Sequence, residues 1–373
     1  MTEKHSTKNL FDHYGLTKST ASSVFRRLIL TATAGRDLSS REAKQAMVLL
    51  MSGALTEKEM GEFLTAMHEK GETTDEIAAF ATIMRDFAPS IFPLRNDNTT
   101  VTIDPCGTGG GSISTFNVST VAGFILAAAG LKVAKHGNRA ITSRAGSADV
   151  FEILGIPLDL TPMQIGRCVK KIGIGFLFAP RFHAATRFVQ RVRKELPHKT
   201  FFNILGPLTN PARPRYQVIG VYDPVLVLPV AKVLRKLGVT RAMVVHGLGK
   251  QKAACLDEIS LCGPTRIAEL RKGKIREFTF DPRLYGFKYC RPSDIAGGSA
   301  AYNAQLLEDV LRGKVKGPRR DIVTVNAAAG LIVGGKAKNF PIAIRMADAI
   351  IASGKAYGIL QKLVVYSKRC LKR

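Results

Sequence analysis

The sequence predicts an α/β protein with a small helical domain at its N-terminus and a larger domain built on a mostly parallel sheet. Capped amphipathic segments fill the first part of the chain, and apolar runs alternate with helical segments in the rest. The 373 residues are enough for two domains, and 46% of them are hydrophobic, as in globular proteins. We expect a flexible extension over residues 1–22, a helical domain over 23–95 and an α/β domain over 96–373.

The helical domain is predicted from three segments that begin with a capping residue and end at glycine or proline. Ser40 and Thr56 stand at the expected helix starts, and Gly53 and Gly71 follow the corresponding apolar repeats. A third segment, TTDEIAAFATIMRDFAPS, ends at a proline. Short helices joined by tight turns pack together as a bundle.

Beyond residue 100, predicted strands alternate with predicted helices. TTVTID, LKVAKHG, IGFLFAP, YQVIGVYDP and RAMVVHG have the short apolar pattern of buried strands, and VSTVAGFILAAAG and SADVFEILG have the helical pattern. This alternation indicates a mostly parallel sheet, whose ligands bind beyond the carboxyl ends of its strands.

The net charge of +26 is unusual for a metabolic enzyme. It permits attraction to nucleic acid, anionic membranes or phosphorylated substrates, while each local basic cluster taken singly is more typical of a solvated face. No apolar segment is long enough to span a bilayer, so we expect no association with a membrane. The six cysteines are scattered without a CxxC pair, which favours reduced thiols in a cytoplasmic protein.

The stretch IDPCGTGGGSISTFNVST places a glycine-rich loop between a predicted strand and a predicted helix. Glycine lets backbone N–H groups approach a ligand closely, and the helix N-terminus adds unpaired N–H donors. The loop therefore predicts an anion site suited to phosphate. A plain tight turn is the alternative, because the dinucleotide fingerprint and the Walker lysine are both absent.

Two further stretches add charged groups at strand ends. KHGNRAITSRAGSAD brings Lys135 toward the same crevice, and Asp257 and Glu258 offer the oxygen ligands that Mg²⁺ prefers. Arg193 is able to pair with a carboxylate in bidentate fashion. Taken in isolation, an adjacent Asp–Glu pair is more typical of an ordinary surface than of a metal site.

Five motifs in order, CGTGGGSISTFNVST, KHGNRAITSRAGSADVFEILG, FLFAPRFH, FFNILGPLTNP and LDEISLCGPT, resemble those of the anthranilate phosphoribosyltransferase family. The resemblance implies the nucleoside phosphorylase and phosphoribosyltransferase fold class, with helices near residues 183–196 contributing to the helical domain. It implies transfer of a phosphoribosyl group from phosphoribosyl pyrophosphate (PRPP) to the amine of anthranilate, with Mg²⁺, in tryptophan biosynthesis. It also implies a homodimer formed through the helical domain.

The resemblance further implies which residues form the site. The residues expected to bind PRPP are Gly107, Thr108, Gly109, Gly110, Gly111, Thr115, Asn117, Val118, Ser119, Thr120, Lys135, His136, Gly137, Asn138, Arg139, Ser143 and Ser147. The residues expected to bind anthranilate are Gly107, His136, Asn138, His183 and Arg193. Ser119, Asp257 and Glu258 are expected to hold the metal. An aromatic amine is already a nucleophile, so no essential acid–base residue is assigned, and His136 is the candidate acceptor of the amine proton.

Gly111 departs from the family pattern GTGGDG, in which an acidic residue occupies this position, so we expect an altered response to Mg²⁺. The loop in HGLGKQKAACLDE is also longer than usual. Two alternatives stay open. One is a pyrimidine nucleoside phosphorylase, which shares a KHGNR-like stretch but has a different glycine loop. The other is a non-catalytic relative that binds nucleic acid without sequence preference, as the net charge favours.

Overall fold

The computed structural model describes residues 11–17, 19–92, 100–140, 144–249 and 254–371. The chain forms two compact units: a helical unit, Met1–Pro89 with Pro180–Pro211, and an α/β unit, Ser90–Ala179 with Ala212–Arg373. Of the extension expected over residues 1–22, the first ten lie outside the described residues and the last two already belong to a helix. The boundary expected after residue 95 also lies outside them.

Fifteen helices and eight strands are used below, all within the described ranges. The helices are α1 Ala21–Thr33, α2 Ser40–Leu50, α3 Glu57–Lys70, α4 Thr74–Phe87, α5 Val118–Ala128, α6 Ser147–Ile153, α7 Pro162–Ile172, α8 Ala179–Phe182, α9 Arg187–Glu195, α10 Phe202–Leu208, α11 Val227–Lys236, α12 Ala300–Leu311, α13 Pro318–Val333, α14 Phe340–Ala352 and α15 Lys355–Leu371. The strands are β1 Thr102–Gly107, β2 Lys132–Gly137, β3 Ile174–Phe178, β4 Tyr216–Gly220, β5 Arg241–Leu248, β6 Cys255–Leu256, β7 Thr265–Arg271 and β8 Lys274–Phe280.

Capping boxes begin three helices of the helical unit, α2, α3 and α4. The side chains of Ser39, Thr56 and Thr73 accept the backbone N–H of the glutamate three residues ahead, and that glutamate bonds back to the cap. The cap expected at Ser40 is therefore Ser39. Across the described residues of the whole chain, no helix is long and apolar enough to cross a membrane.

The sheet of the α/β unit has the strand order β3-β2-β1-β4-β5-β7-β8, with β6 paired to β5. Strands β1 to β5 pair in parallel, whereas β6, β7 and β8 join by antiparallel pairing. The expectation of a mostly parallel sheet is confirmed. Strands β2 and β3 follow β1 toward one edge of the sheet, and strands β5, β7 and β8 follow β4 toward the other edge. The direction of the strand order therefore changes between β1 and β4, and the carboxyl ends of these two strands border the crevice in which such sheets bind ligands.

Glycines stand at the carboxyl ends of three parallel strands and leave room for another segment. A β-carbon at Gly107 would overlap the carboxylate of Asp257, and one at Gly220 would overlap the Asp257 carbonyl. A β-carbon at Gly247 would overlap the carbonyl of Glu258 in the same way. The Asp257–Glu258 segment therefore crosses the ends of β1, β4 and β5 at a distance that only glycine permits.

Replacing Gly220 with alanine is expected to lower the free energy of unfolding by about 1–3 kcal/mol, because the new methyl group forces the Asp257 backbone to move. Gly358→Ala is the matched control. Gly358 lies inside α15 with nothing within 4 Å of its β-carbon, so the better helix former raises the free energy of unfolding by roughly 0.5–1 kcal/mol. Urea denaturation of both variants measures the difference. Changes of the same sign and size would contradict the packing described here.

Candidate active site

The glycine-rich loop connects β1 to α5 across the switch point of the sheet. Gly109 and Gly110 have φ of +70° and +82°, a region that favours glycine. The amide of Thr108 donates to the Gly220 carbonyl at 2.9 Å, which fixes the loop to the neighbouring strand. At the other end of the loop, Thr120 is fully buried in the first turn of α5, and no described residue forms a hydrogen bond with its hydroxyl. Loop and helix start together present backbone donors to an anion.

The adjacent carboxylates of Asp257 and Glu258 bind both arms of this loop. The amide of Gly109 donates to Asp257 Oδ2 at 2.8 Å, and the Thr115 hydroxyl donates to Glu258 Oε2 at 3.2 Å. Burial raises the pKa of Asp257, and burial together with the Asp257 charge raises the pKa of Glu258 well above its usual range. The two carboxylates therefore lie directly against the glycine loop.

Lys135 places a cation at the same point. Its side chain on β2 is 2% exposed, and its ammonium donates to the Pro105 carbonyl at 2.8 Å and to the Ser119 hydroxyl at 3.2 Å. Ser119 also donates its backbone N–H to Glu258. A small cavity lies against Ser119, Asp257 and Glu258, so the structure brings together the three residues expected to hold the metal.

The donor set at this cavity fits Mg²⁺. It consists of two carboxylates and one hydroxyl, all hard oxygen donors, and Mg²⁺ in proteins is commonly held by one or two carboxylates plus substrate phosphates. Substrate phosphates and water would supply the remaining ligands, as is common for Mg²⁺.

The end of β2, in the predicted stretch KHGNRAITSRAGSAD, contacts the start of α6. His136 is 3% exposed, and its backbone N–H donates to the buried carboxylate of Asp104 at 3.2 Å. The Asn138 carbonyl accepts the Ser147 hydroxyl at 3.5 Å. A β-carbon at Gly137 would overlap that same hydroxyl. Ser143, which is expected to contact PRPP, lies outside the described residues.

Arg139 points toward α6. Its guanidinium forms ion pairs with Asp149 at 2.9 Å and with Glu152 at 2.8 Å, and it lies over the Phe178 ring. These hydrogen bonds, first of all those with Glu152, raise the pKa of Arg139. In this structure the residue fastens its loop to the helix, a contact that the sequence pattern does not indicate.

The two expected anthranilate contacts of the helical unit, His183 and Arg193, are both largely removed from solvent. His183 is 5% exposed, directly before a short 3₁₀ turn. Arg193 stacks over the Phe202 ring at 4.7 Å, and burial lowers its pKa to about 10. No described residue forms a hydrogen bond with its Nε, so this still-protonated guanidinium retains donors for an anion.

Two buried asparagines position the loops and were missed at the level of sequence. Asn303 on α12 donates to the Asn117 side chain at 3.1 Å, while Asn117 donates to the Ala145 carbonyl at 3.3 Å. Asn326 on α13 bonds both the N–H and the carbonyl of Ile259, at 2.9 and 3.0 Å, directly after Glu258. For Asn326 the only available signal was a polar residue inside an apolar helix, NAAAGLIVGG, and that pattern does not reveal its partner.

Comparison with known proteins agrees with this geometry. Family models described as "Glycosyl transferase family, helical bundle domain" and "Glycosyl transferase family, a/b domain" match residues 8–88 and 99–357. The anthranilate phosphoribosyltransferase of Petrotoga mobilis is 45% identical over 344 residues, which cover 92% of this chain and 97% of the relative.

Solved structures give the same result. The anthranilate phosphoribosyltransferase of Thermus thermophilus superposes with a TM-score of 0.84 at 39% identity, covering 91% of this chain and 99% of that one. The Saccharomyces cerevisiae enzyme in complex with PRPP and Mg gives 0.81 at 27% identity, covering 95% and 99%. Its complex with 4-fluoroanthranilate gives 0.82 at 26% identity, again covering 95% and 99%. This chain therefore belongs to the anthranilate phosphoribosyltransferase family.

Proposed function

We propose that this chain transfers the phosphoribosyl group of PRPP to the amine of anthranilate, giving N-(5-phosphoribosyl)anthranilate and pyrophosphate in tryptophan biosynthesis. The observation that carries the proposal is the cavity at which Ser119, Asp257 and Glu258 meet, beside Lys135 and the glycine loop. The Saccharomyces cerevisiae structures with PRPP, Mg and 4-fluoroanthranilate support the choice of ligands.

Departure of pyrophosphate builds negative charge on the leaving group and positive charge on the ribose carbon. The backbone N–H groups of the glycine loop and of the first turn of α5 are oriented before the reaction, so they stabilise the departing charge without rearrangement. The Lys135 ammonium, held at 2.8 Å by the Pro105 carbonyl, adds a fixed cation close to Ser119. Leaving-group stabilisation is therefore built into the fold.

We assign the Mg²⁺ site to Ser119, Asp257 and Glu258, whose oxygen atoms suit that ion. When bound there, Mg²⁺ supplies positive charge that neutralises the diphosphate of PRPP. Burial raises the pKa of both carboxylates, and a cation placed beside them would favour their charged forms.

Anthranilate brings a carboxylate and a weakly basic amine. We assign its carboxylate to Arg193, because a desolvated guanidinium binds a carboxylate strongly. Its amine attacks without prior deprotonation, and His136 is the candidate acceptor of the proton released after attack. Cys106 is not a competing nucleophile, because burial raises its pKa to about 12 and keeps the thiol protonated.

The direct test follows the fluorescence of anthranilate in the presence of PRPP, with and without Mg²⁺. Loss of fluorescence that requires both is expected, and no loss under any condition would refute the proposal. The phosphorylase alternative is not favoured by the relatives described above. It would be revived if the chain released free base from a nucleoside and phosphate.

A homodimer formed through the helical unit and a cytoplasmic location stay predictions. Light scattering of the purified chain tests the first, and cell fractionation tests the second.

Glu258→Gln is expected to abolish the response to metal, because it keeps the shape of the side chain but removes a charged ligand. Saturating MgCl₂ with pyrophosphate should raise the melting temperature of the native protein by about 2–4 °C and leave that of the variant unchanged. Turnover should fall by about 10²-fold. Asp309→Asn on α12, outside the site, is the control and should keep both responses. A normal thermal shift in Glu258→Gln would show that Glu258 is not a metal ligand.

Arg193→Met is expected to raise KM for anthranilate by about 10- to 100-fold, because one charged hydrogen-bonding group is lost. We expect kcat to change less, since the carboxylate is bound in both the ground state and the transition state. Arg191→Met is a control on the same helix, where Arg191 is exposed and pairs with Glu57 and Glu195. Steady-state kinetics with varied anthranilate measure both variants. An unchanged KM in Arg193→Met would refute this assignment.

Gly111 lies against the segment that leads to the acidic pair. A β-carbon there would lie 2.9 Å from the Cys255 carbonyl oxygen and 3.1 Å from Leu256 Cα. We therefore expect Gly111→Ala to displace Asp257 and lower kcat/KM by about tenfold or more. Gly111→Asp adds the same β-carbon together with a carboxylate, so any difference in Mg²⁺ half-saturation between the two variants isolates the effect of charge. Identical Mg²⁺ titrations would contradict the expectation that this position tunes the metal response.

A further inference from the structure

Helices α7 and α15 carry basic residues and no aspartate or glutamate. Both belong to the α/β unit, and they pack against each other. We call the surface formed by their exposed cations the α7–α15 face. It consists of Arg167, Lys170, Lys171, Lys355, Lys362, Lys368 and Arg369.

The two helices run in opposite directions, which brings these cations together. The Gln164 side chain donates to the Cys370 carbonyl near the start of α7 and the end of α15. Ile172, at the end of α7, lines a cleft with Lys362 in the middle of α15. The part of α15 from Lys362 to Arg369 therefore lies beside α7.

The spacing along α15 adds a linear arrangement. Lys355, Lys362 and Arg369 are separated by seven residues each, which is close to two helical turns, so they lie on one side of the helix. At 1.5 Å per residue, neighbouring charges in this row are about 10 Å apart. A row of like charges suits an extended polyanion better than a compact anion.

The cleft along this row has an apolar floor and an aromatic ring. Its lining includes Ile172, Val365 and Tyr366 between the basic side chains of Lys362 and Arg369. Val365 is 51% exposed, although it is a large apolar residue on a basic surface. An aromatic ring between cations is the arrangement with which proteins hold single-stranded nucleic acid, by stacking bases and neutralising phosphates.

One exposed carboxylate, Asp159, lies in the loop three residues before Pro162 of α7, and two more, Asp149 and Glu152, lie on α6. Gly155, just after α6, lies beside Lys368, but Asp149 and Glu152 are both bound to Arg139. The cleft is also separate from the proposed catalytic site. Ile172 stands two residues before the first residue of β3, near the amino ends of the strands, whereas the glycine loop follows a carboxyl end.

We propose that the α7–α15 face binds single-stranded nucleic acid without sequence preference, through its cations and through stacking on Tyr366. Release of counterions from the phosphates drives such binding, so affinity falls with salt. The proposal gives a role to seven of the 55 basic residues of the chain and does not depend on the proposed catalytic function.

The test measures fluorescence anisotropy of a labelled oligouridylate of about 20 nucleotides, titrated with the full chain at several salt concentrations. The triple variant Lys362→Glu, Lys368→Glu and Arg369→Glu is expected to bind about tenfold or more weakly. Its slope of log K against log salt should be smaller by about 2, since each lost phosphate contact on a single strand contributes roughly 0.7. Retained transferase activity shows that the variant is folded.

The matched control makes the same change of charge at the other edge of the sheet. Arg271→Glu, Lys274→Glu and Lys288→Glu alter exposed residues of the β7–β8 hairpin and the loop that follows β8. This control should retain most of the affinity. Equal loss in both triple variants, no binding by the native chain, or binding to phosphatidylserine vesicles in place of the oligonucleotide would overturn the proposal.

Discussion

The close approach of the Asp257–Glu258 backbone to the ends of β1, β4 and β5 is the constraint on which the proposed site depends. Gly107, Gly220 and Gly247 are required there by space, because a β-carbon at any of them would overlap this segment. Asn326 then holds the backbone of the following residue on both its N–H and its carbonyl. Two carboxylates that repel each other are thereby kept side by side at the switch point of a parallel sheet, where ligands of such sheets bind.

Gly111 lies at a similarly close approach between two segments of the chain. By sequence it is a lost acidic residue in a loop for metal-bound diphosphate. In the structure it is also the point where the loop touches β6, since a β-carbon would lie 2.9 Å from the Cys255 carbonyl oxygen. The loop is fastened there by the Ile113 amide, which donates to that carbonyl at 3.0 Å. A side chain at position 111 would therefore press on the segment that carries Asp257, and an acidic one would also change the charge beside it.

Periodicity predicted the helical domain and the parallel sheet, because burial on both faces leaves a clear apolar pattern in strands and helices. It did not predict the β7–β8 hairpin, although Lys272 and Gly273 both have positive φ and form its tight turn. The basic residues around that turn, RKGKIR, masked the strand pattern. Contacts made by single polar side chains, such as Arg139 with α6 and Asn303 with Asn117, have no periodic signal and required the fold.

The electrostatics of the site show why the net charge of the chain needs a separate explanation. Around the glycine loop, the buried Lys135 acts on the Glu258 carboxylate, and backbone N–H groups, the start of α5 and the proposed Mg²⁺ attract an anion. A site built in this way holds a diphosphate without a surplus of surface cations. The basic residues of α7 and α15 lie in another part of the α/β unit, beside the amino end of β3. The charge of these helices is therefore free to vary independently of catalysis. The presence of several exposed cations and no acidic residue on these two packed helices points to a ligand other than PRPP.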